Sequence, residues 1–318
     1  MILLEKMNFL FILYILQLFS IEMQAYFGEN ICCDFKKDKS KCTRKAYYKR
    51  LSDNEIVCGM HAKKDNRVEL PRNPNEKINK ENAINEHKLQ CKKFAKENNN
   101  CGIVKCKKMK MFGGVELIDN YLNVFPNFKH GPRKDGLGMP SLSPKSIGSI
   151  IHGQPDLPIC LNLENFHQGN KVFESEIDAN GFIKKEFYST QINMYNDTEP
   201  HRHKTICNKK NATVFSIWKD KKGVEHKINY FESRQFYCTF YERAVEHDEN
   251  FIKLKNLIEK GYNLMIVGYD AYDVDASKNI EDYYKDTTKP FGHELVLYTM
   301  LVHKKEEWPW KKYKTFEY

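Results

Sequence analysis

"SRQFYCTFYERAVEHDENFIKLKNLIEKGYNLMIVGYD", residues 233–270, carries helical and strand patterns in one stretch. Up to Lys260 the apolar spacing is helical, with a break near His247 and Asp248 and Gly261 as the C-terminal stop. "YNLMIVGYD" is then a short apolar run of the kind that forms a strand buried on both faces. Helices feeding a buried strand put the chain in the α+β class, largely helical with a small strand component.

The same reading extends in both directions. "TVFSIWKDKKGVEHKINYF" reads as a hairpin around Lys222-Gly223, and "FYSTQINMYNDTEPHRHK" as a helix ending near Asn196, with Pro200 blocking continuation. "PFGHELVLYTMLVHKK" closes the chain as a helix. Residues 126–160 hold eleven Gly and Pro positions, a long loop of the sort that usually carries function. A helix over about 162–174, "NLENFHQGNKVF", follows it directly. On that helix Glu164, His167, Gln168 and Lys171 form one polar stripe, with Phe166 and Phe173 pointing roughly the opposite way. The stripe is either a solvated surface or one wall of a site.

Upstream the texture is basic. The chain has 318 residues, 51 basic and 42 acidic, for a formal charge of +9. Lysines crowd residues 36–112, which suits a nucleotide or nucleic-acid partner and equally a solvated surface. Hydrophobic residues at 41% and aromatics at 13% exclude a disordered chain. "KENAINEHKLQCKKFAKENN" reads as an amphipathic helix with Leu89, Phe94 and Ala95 among its apolar positions. The expected organisation is an apolar segment at 1–25, a Cys/His module at 26–70, a basic helical linker at 71–114 and the main domain at 115–318.

Seven of the ten cysteines precede residue 107. Cys32 or Cys33, with Cys42 and the Cys58-Gly-Met-His61 end, makes a four-ligand zinc set in which Cys33 is the expected first thiolate. Free buried thiols, or disulfides in a secreted chain, are the alternatives. Cys91, Cys101 and Cys106 lack a fourth ligand. Residues 8–21, "NFLFILYILQLFSI", have the length of a signal-peptide core; Met7 or Met23 could each begin the chain, and a start at Met23 would remove the run. A cytoplasmic protein is expected, with a secreted or membrane-tethered form as the rival if that run is retained. Asn196 and Asn211 head glycosylation sequons usable only after secretion.

"ENFHQGNK", residues 164–171, resembles in register the Glu-x-aromatic-x-Gln-x-x-Lys signature of the NADAR N-glycosidases. "FPNF" upstream, the 236–275 stretch and the closing "PFGHELVLYTML" are similar to other segments of that family in the same order, so the resemblance spans roughly 115–303. It departs at Asp270-Ala-Tyr272-Asp273, where the family has Trp-Gly, at His293-Glu294, and in the cysteine module and the 133–148 insertion.

The resemblance implies cleavage of an N-glycosidic bond in a phosphorylated ribosyl compound, such as a nucleotide intermediate or an ADP-ribosylated base. Glu164 would stabilise the oxocarbenium character at C1′ and orient water, Lys171 would hold phosphate or protonate the leaving group, and His167 would assist proton transfer. Asp270 or Asp273 would hold ribose hydroxyls. Arg133 and Lys134 would meet phosphates, and Gln168 and His293 would complete the binding site. A non-catalytic zinc-stabilised nucleic-acid binder and a secreted or membrane-anchored disulfide protein are the competing readings.

Overall fold

The strand expected within "YNLMIVGYD" lies at Asn263–Gly268, and all of its residues are buried. The structure, a computed structural model, describes residues 32–36, 39–43, 46–61, 63–70, 74–110, 115–203 and 212–314. The 8–21 run, Met7, Met23, Cys207 and Asn211 lie outside these residues. The chain divides into two compact units, Met1–Ala83 and Ile84–Tyr318.

The first unit has a three-stranded antiparallel sheet with β1 (Tyr48–Arg50) between β2 (Ile56–Val57) and β3 (Arg67–Glu69). Its core is small: Cys32, Cys42, Ala46, Val57 and Cys58, with Tyr48 and Ile56 packed against it. Among the described residues this is little apolar area, of the size that a metal site commonly supplements.

The helix α1 (Pro74–Glu97) runs across the division. Its buried residues are Ile84, His87, Cys91 and Ala95, at spacings of three and four. That stripe corrects the expected register. Phe94 is half-buried, but Leu89 falls off the stripe and is 66% exposed.

In the second unit, β4 (Val104–Lys108), β5 (Tyr121–Phe125), β6 (Leu137–Gly138) and β10 (Asn263–Gly268) form a parallel sheet in the order β4-β10-β5-β6. The expected linker over 71–114 is therefore part sheet. Val104 and Cys106 point into the core while Lys105 and Lys107 are half-exposed, a period-two pattern hidden among lysines.

The polar-stripe helix is also shorter than expected. It is α2 (Leu163–Gly169), and Lys171–Phe173 is instead β7, which joins β8 (Thr213–Lys219) and β9 (Glu225–Ile228) in an antiparallel sheet of order β7-β8-β9. Asn170 ends α2. Its Nδ2 donates to the Phe166 carbonyl at 2.8 Å, while its Oδ1 accepts from Gln191 Nε2 and Tyr195 Oη at 2.8 and 2.7 Å. Those partners lie on α3 (Lys185–Tyr195).

The long helical pattern splits into α4 (Tyr230–Val245) and α5 (Glu249–Glu259), with Asp248 capping the second through Asn250 N at 2.8 Å. Gly261 closes it at φ +85°, a left-handed turn that favours glycine. After α6 (Ile280–Lys285) comes α7 (His293–Val302), nearly all buried, and then the short α8 (Pro309–Lys312). Among the described residues no helix is long and apolar enough to cross a membrane.

One packing contact between sheet and helix allows no added atom. Glu294, at the start of α7, is fully buried, and a Cβ on Gly268 would lie 1.9 Å from its Oε1 and 2.4 Å from its Cγ. Gly268→Ala is expected to lower the free energy of unfolding by about 1–3 kcal/mol, read from the denaturant midpoint, because the buried Glu294 side chain must shift from its packed position to admit the methyl group.

Candidate functional site

Parallel strands leave their C-terminal ends open to ligands where the strand order reverses. Here β10 lies between β4 and β5, and the segments leaving β5 and β10 face a cavity of about 600 Å³. Asn127, Phe128, Lys129 and His130 come from the first segment, Tyr269 and Asp270 from the second. The α7 start supplies Gly292 and His293, and α4 supplies Tyr230, Arg234 and Tyr237. The polar stripe completes the lining: Glu164, His167, Gln168 and, as the first residue of β7, Lys171.

Local chemistry fixes that wall. Asn162 caps α2 by accepting from Asn165 N at 2.8 Å. The Gly/Pro-rich loop holds the first turn, its Ile147 and Pro144 carbonyls accepting from Leu163 N and Glu164 N at 2.8 and 3.0 Å. Gln168 then links the two charged groups, donating to Glu164 Oε1 at 3.1 Å and accepting from Lys171 Nζ at 3.2 Å. Lys171 thus stays beside Glu164 although it has left the helix.

His167 packs against Tyr237, ring centroids 5.0 Å apart and planes tilted by 57°. Burial, and then the Lys171 charge, push the His167 pKa well below 6.5, so the ring is neutral near pH 7. Burial, and then the Glu164 charge, hold the Tyr237 phenol protonated by raising its pKa well above 10. At the α7 start His293 Nδ1 sits 3.2 Å from Glu294 Oε2, and His293 Nε2 is buried without a hydrogen-bond partner.

Three expected site residues lie elsewhere. Asp273 Oδ1 accepts from Lys108 N at 3.2 Å and so serves the β4 edge. Arg133 is held by both oxygens of Asp135 and lies over the Phe125 ring, 4.0 Å from its centroid. Lys134 is exposed and does not line the cavity. A salt bridge two residues away and an aromatic face consume the charge that was expected to meet phosphate.

Other lining residues lie outside the expected site set. Lys145 comes from the long loop, Arg202 from "EPHRHK" and Arg234 from the middle of α4. Arg234 is buried and donates to the carbonyls of Tyr283, Tyr284, Asp286 and Lys289, so it braces the chain leading to Pro290 and Phe291, both cavity residues. Only the unusual density of polar residues on α4's buried side hints at this. In the segment of Arg202, His201 pairs with Asp197 and His203 with Glu176.

His203 also marks the acid limit of the fold. Burial, and then the Lys171 charge, lower its pKa from 6.5 to about 4, despite Glu176 Oε1 at 3.2 Å. The folded state therefore resists a proton that the unfolded chain accepts. Stability is fully present above pH 6.5 and is lost as the pH falls from 6.5 towards 4. Melting temperatures should decline across that window, and less steeply for His203→Gln than for wild type. Burial lowers the pKa values of His130 and His152 in the same direction, so part of the slope remains in the variant.

The first unit holds a different constellation. Cys32, Cys42, Cys58 and His61 place their ligand atoms within 4.8 Å of one another, and they could hold a metal ion. Cys32 Sγ is 3.3 Å and Cys58 Sγ 3.6 Å from His61 Nδ1, and Cys42 Sγ is 3.9 Å from Cys58 Sγ. A tetrahedron with metal–sulfur bonds of about 2.3 Å has sulfur–sulfur edges of about 3.8 Å, so the spacing fits.

The first ligand is Cys32, not Cys33. Cys32 is buried among the other three ligand atoms, whereas Cys33 is only half-buried and its N donates to Ile56 O at 3.1 Å. Burial opposes ionisation of Cys58, but backbone donors at Met60 and His61 and its thiol neighbours outweigh it and lower its pKa. Every described cysteine is a free thiol. Among the described residues no other group of His, Cys, Asp and Glu converges in this way, so Cys91, Cys101 and Cys106 form no metal set.

Searches against protein-family models, curated proteins and solved structures return no match to this chain.

Proposed function

We propose that the second unit hydrolyses an N-ribosidic bond in a phosphorylated ribosyl compound, and that the first unit is stabilised by zinc. The observation that carries the hydrolase reading is convergence. Glu164, linked through Gln168 to Lys171, lines one cavity with Asp270 and His293, and with Lys129, Lys145 and Arg202. These last three make no ion pair among the described residues, which suits an anionic substrate.

In the proposed reaction the C1′–N bond breaks and its electron pair leaves with the base. Water oxygen forms the new bond to C1′, and Glu164 takes the water proton after stabilising the positive ribose. His167 is neutral and so donates no proton near pH 7. The ammonium of Lys171 is the acid beside the stripe. Asp270 accepts from ribose hydroxyls, while the Tyr237 phenol, kept protonated, remains a hydrogen-bond donor. The test is chromatography of products from wild type and Glu164→Gln on ADP-ribosylated DNA, ADP-ribosylated nucleosides and phosphoribosyl-amino-pyrimidines.

Three thiolates and one imidazole form a closed, soft donor set, the type that favours structural zinc over harder cations. A nucleic-acid partner is the second reading, favoured by the exposed Lys77, Lys80, Lys92, Lys93 and Lys96 of α1.

A further inference from the structure

With Arg133 and Lys134 outside the cavity, phosphate recognition has to come from the cations that line it. Arg202 differs from the others in how its backbone is held. On one side, His201 N donates to Asn165 Oδ1 at 2.7 Å. Asn165 Nδ2 in turn donates to the Glu199 and Asp197 carbonyls at 2.8 and 3.1 Å. Asn162 Nδ2 adds bonds to the Asp197 and Thr198 carbonyls, both at 3.2 Å. Both asparagines are buried, and they flank Glu164 in sequence.

On the other side His203 is buried between Phe173 and Phe187, ring centroids 4.8 and 6.4 Å away, with Glu176 at ion-pair distance. Arg202 is the exposed residue between these two anchors, and it makes no hydrogen bond or ion pair among the described residues. A guanidinium on a fixed backbone loses less freedom on binding than one on a loose loop, and its paired N–H groups match phosphate oxygens. Two further groups border the same cavity. Lys171 heads β7, and Thr213, exposed at the start of β8, pairs with Phe173 of β7.

We infer that Arg202, with the Thr213 hydroxyl, binds the substrate phosphate, and that Asn165 is the positioning residue that ties this anion subsite to the helix of Glu164. The identity of the group attached to the phosphate rests on the N-ribosidic reading, whereas anion binding is measurable without turnover.

The experiment titrates the full chain with ribose 5-phosphate and with inorganic phosphate by calorimetry at low salt. Arg202→Gln should weaken ribose 5-phosphate binding about tenfold or more, and Arg202→Lys by less, since the charge stays but the fork is lost. Asn165→Asp should weaken it comparably, and the double variant no further, because positioning and contact act as one unit. On a turned-over substrate, Arg202→Gln should raise KM and leave kcat nearly unchanged.

Equal affinity of wild type and Arg202→Gln, or no binding of either anion to wild type, overturns the subsite. Asn165→Asp that lowers the melting temperature but keeps the affinity overturns the positioning role. Anion binding lost in Arg202→Gln, with wild type turning over no ribosylated compound, upholds the subsite and refutes the hydrolase reading. Turnover with KM unmoved in Arg202→Gln does the reverse.

Discussion

Glu164→Gln is expected to reduce kcat on the cleaved substrate by about 10²–10⁴-fold while the melting temperature changes little. The amide keeps the size of the side chain and can still bond to Gln168, so the wall of the cavity keeps its form. What disappears is the negative charge that favours a positive ribose and the base that takes the proton from water. A loss confined to kcat identifies Glu164 as acting on the transition state. A loss seen only in KM would assign it to ground-state binding. Unchanged turnover, in a protein that cleaves one of the test compounds, would remove Glu164 from the reaction altogether. Raising the pH does not restore the variant, because an amide has no ionisation to recover.

The second large effect concerns the metal. Removing it with a chelator, or changing Cys58 to Ser, is expected to unfold the first unit. Hydrogen exchange should show protection lost across β1 and β2, Tyr48–Val57, in the apo protein. Among the described residues the core there is five small buried residues, three of them the proposed thiolate ligands, so without metal the strands have little among these residues to pack against. Metal binding of this kind is worth about 10–16 kcal/mol near neutral pH, more than such a core supplies. Elemental analysis should give one zinc per chain, and zinc should restore protection while magnesium should not. Cys33→Ser is the matched control, since Cys33 lies outside the ligand set and should retain both metal and protection. A fully protected apo unit would refute the metal's structural role.

Much of the second unit could be read locally. The break at Asp248, the stop at Gly261, the hairpin and the buried β10 all follow from caps, turns and periodicity within a dozen residues. The same holds for the stripe itself, since Glu164, His167 and Gln168 share a face by helical spacing alone. The end of α2 could not be read this way. Asn170 terminates it with help from Gln191 and Tyr195, more than twenty residues downstream. The edge strand β4 was masked because its solvent face is lysine, and it becomes a strand through pairing with β10, some 160 positions on.

By itself the sequence determined the class, the helix and strand periods, the thiol and imidazole types for a metal and the polar face of α2. Only the tertiary structure decided that Cys32 rather than Cys33 turns inward, that Arg133 and Asp273 serve local contacts, and that Arg202, Arg234 and Lys145 reach the cavity. The reason is physical. Period and capping act over a few residues, whereas a site is a meeting of side chains from distant segments, set by which strands pair and which buried polar groups find partners.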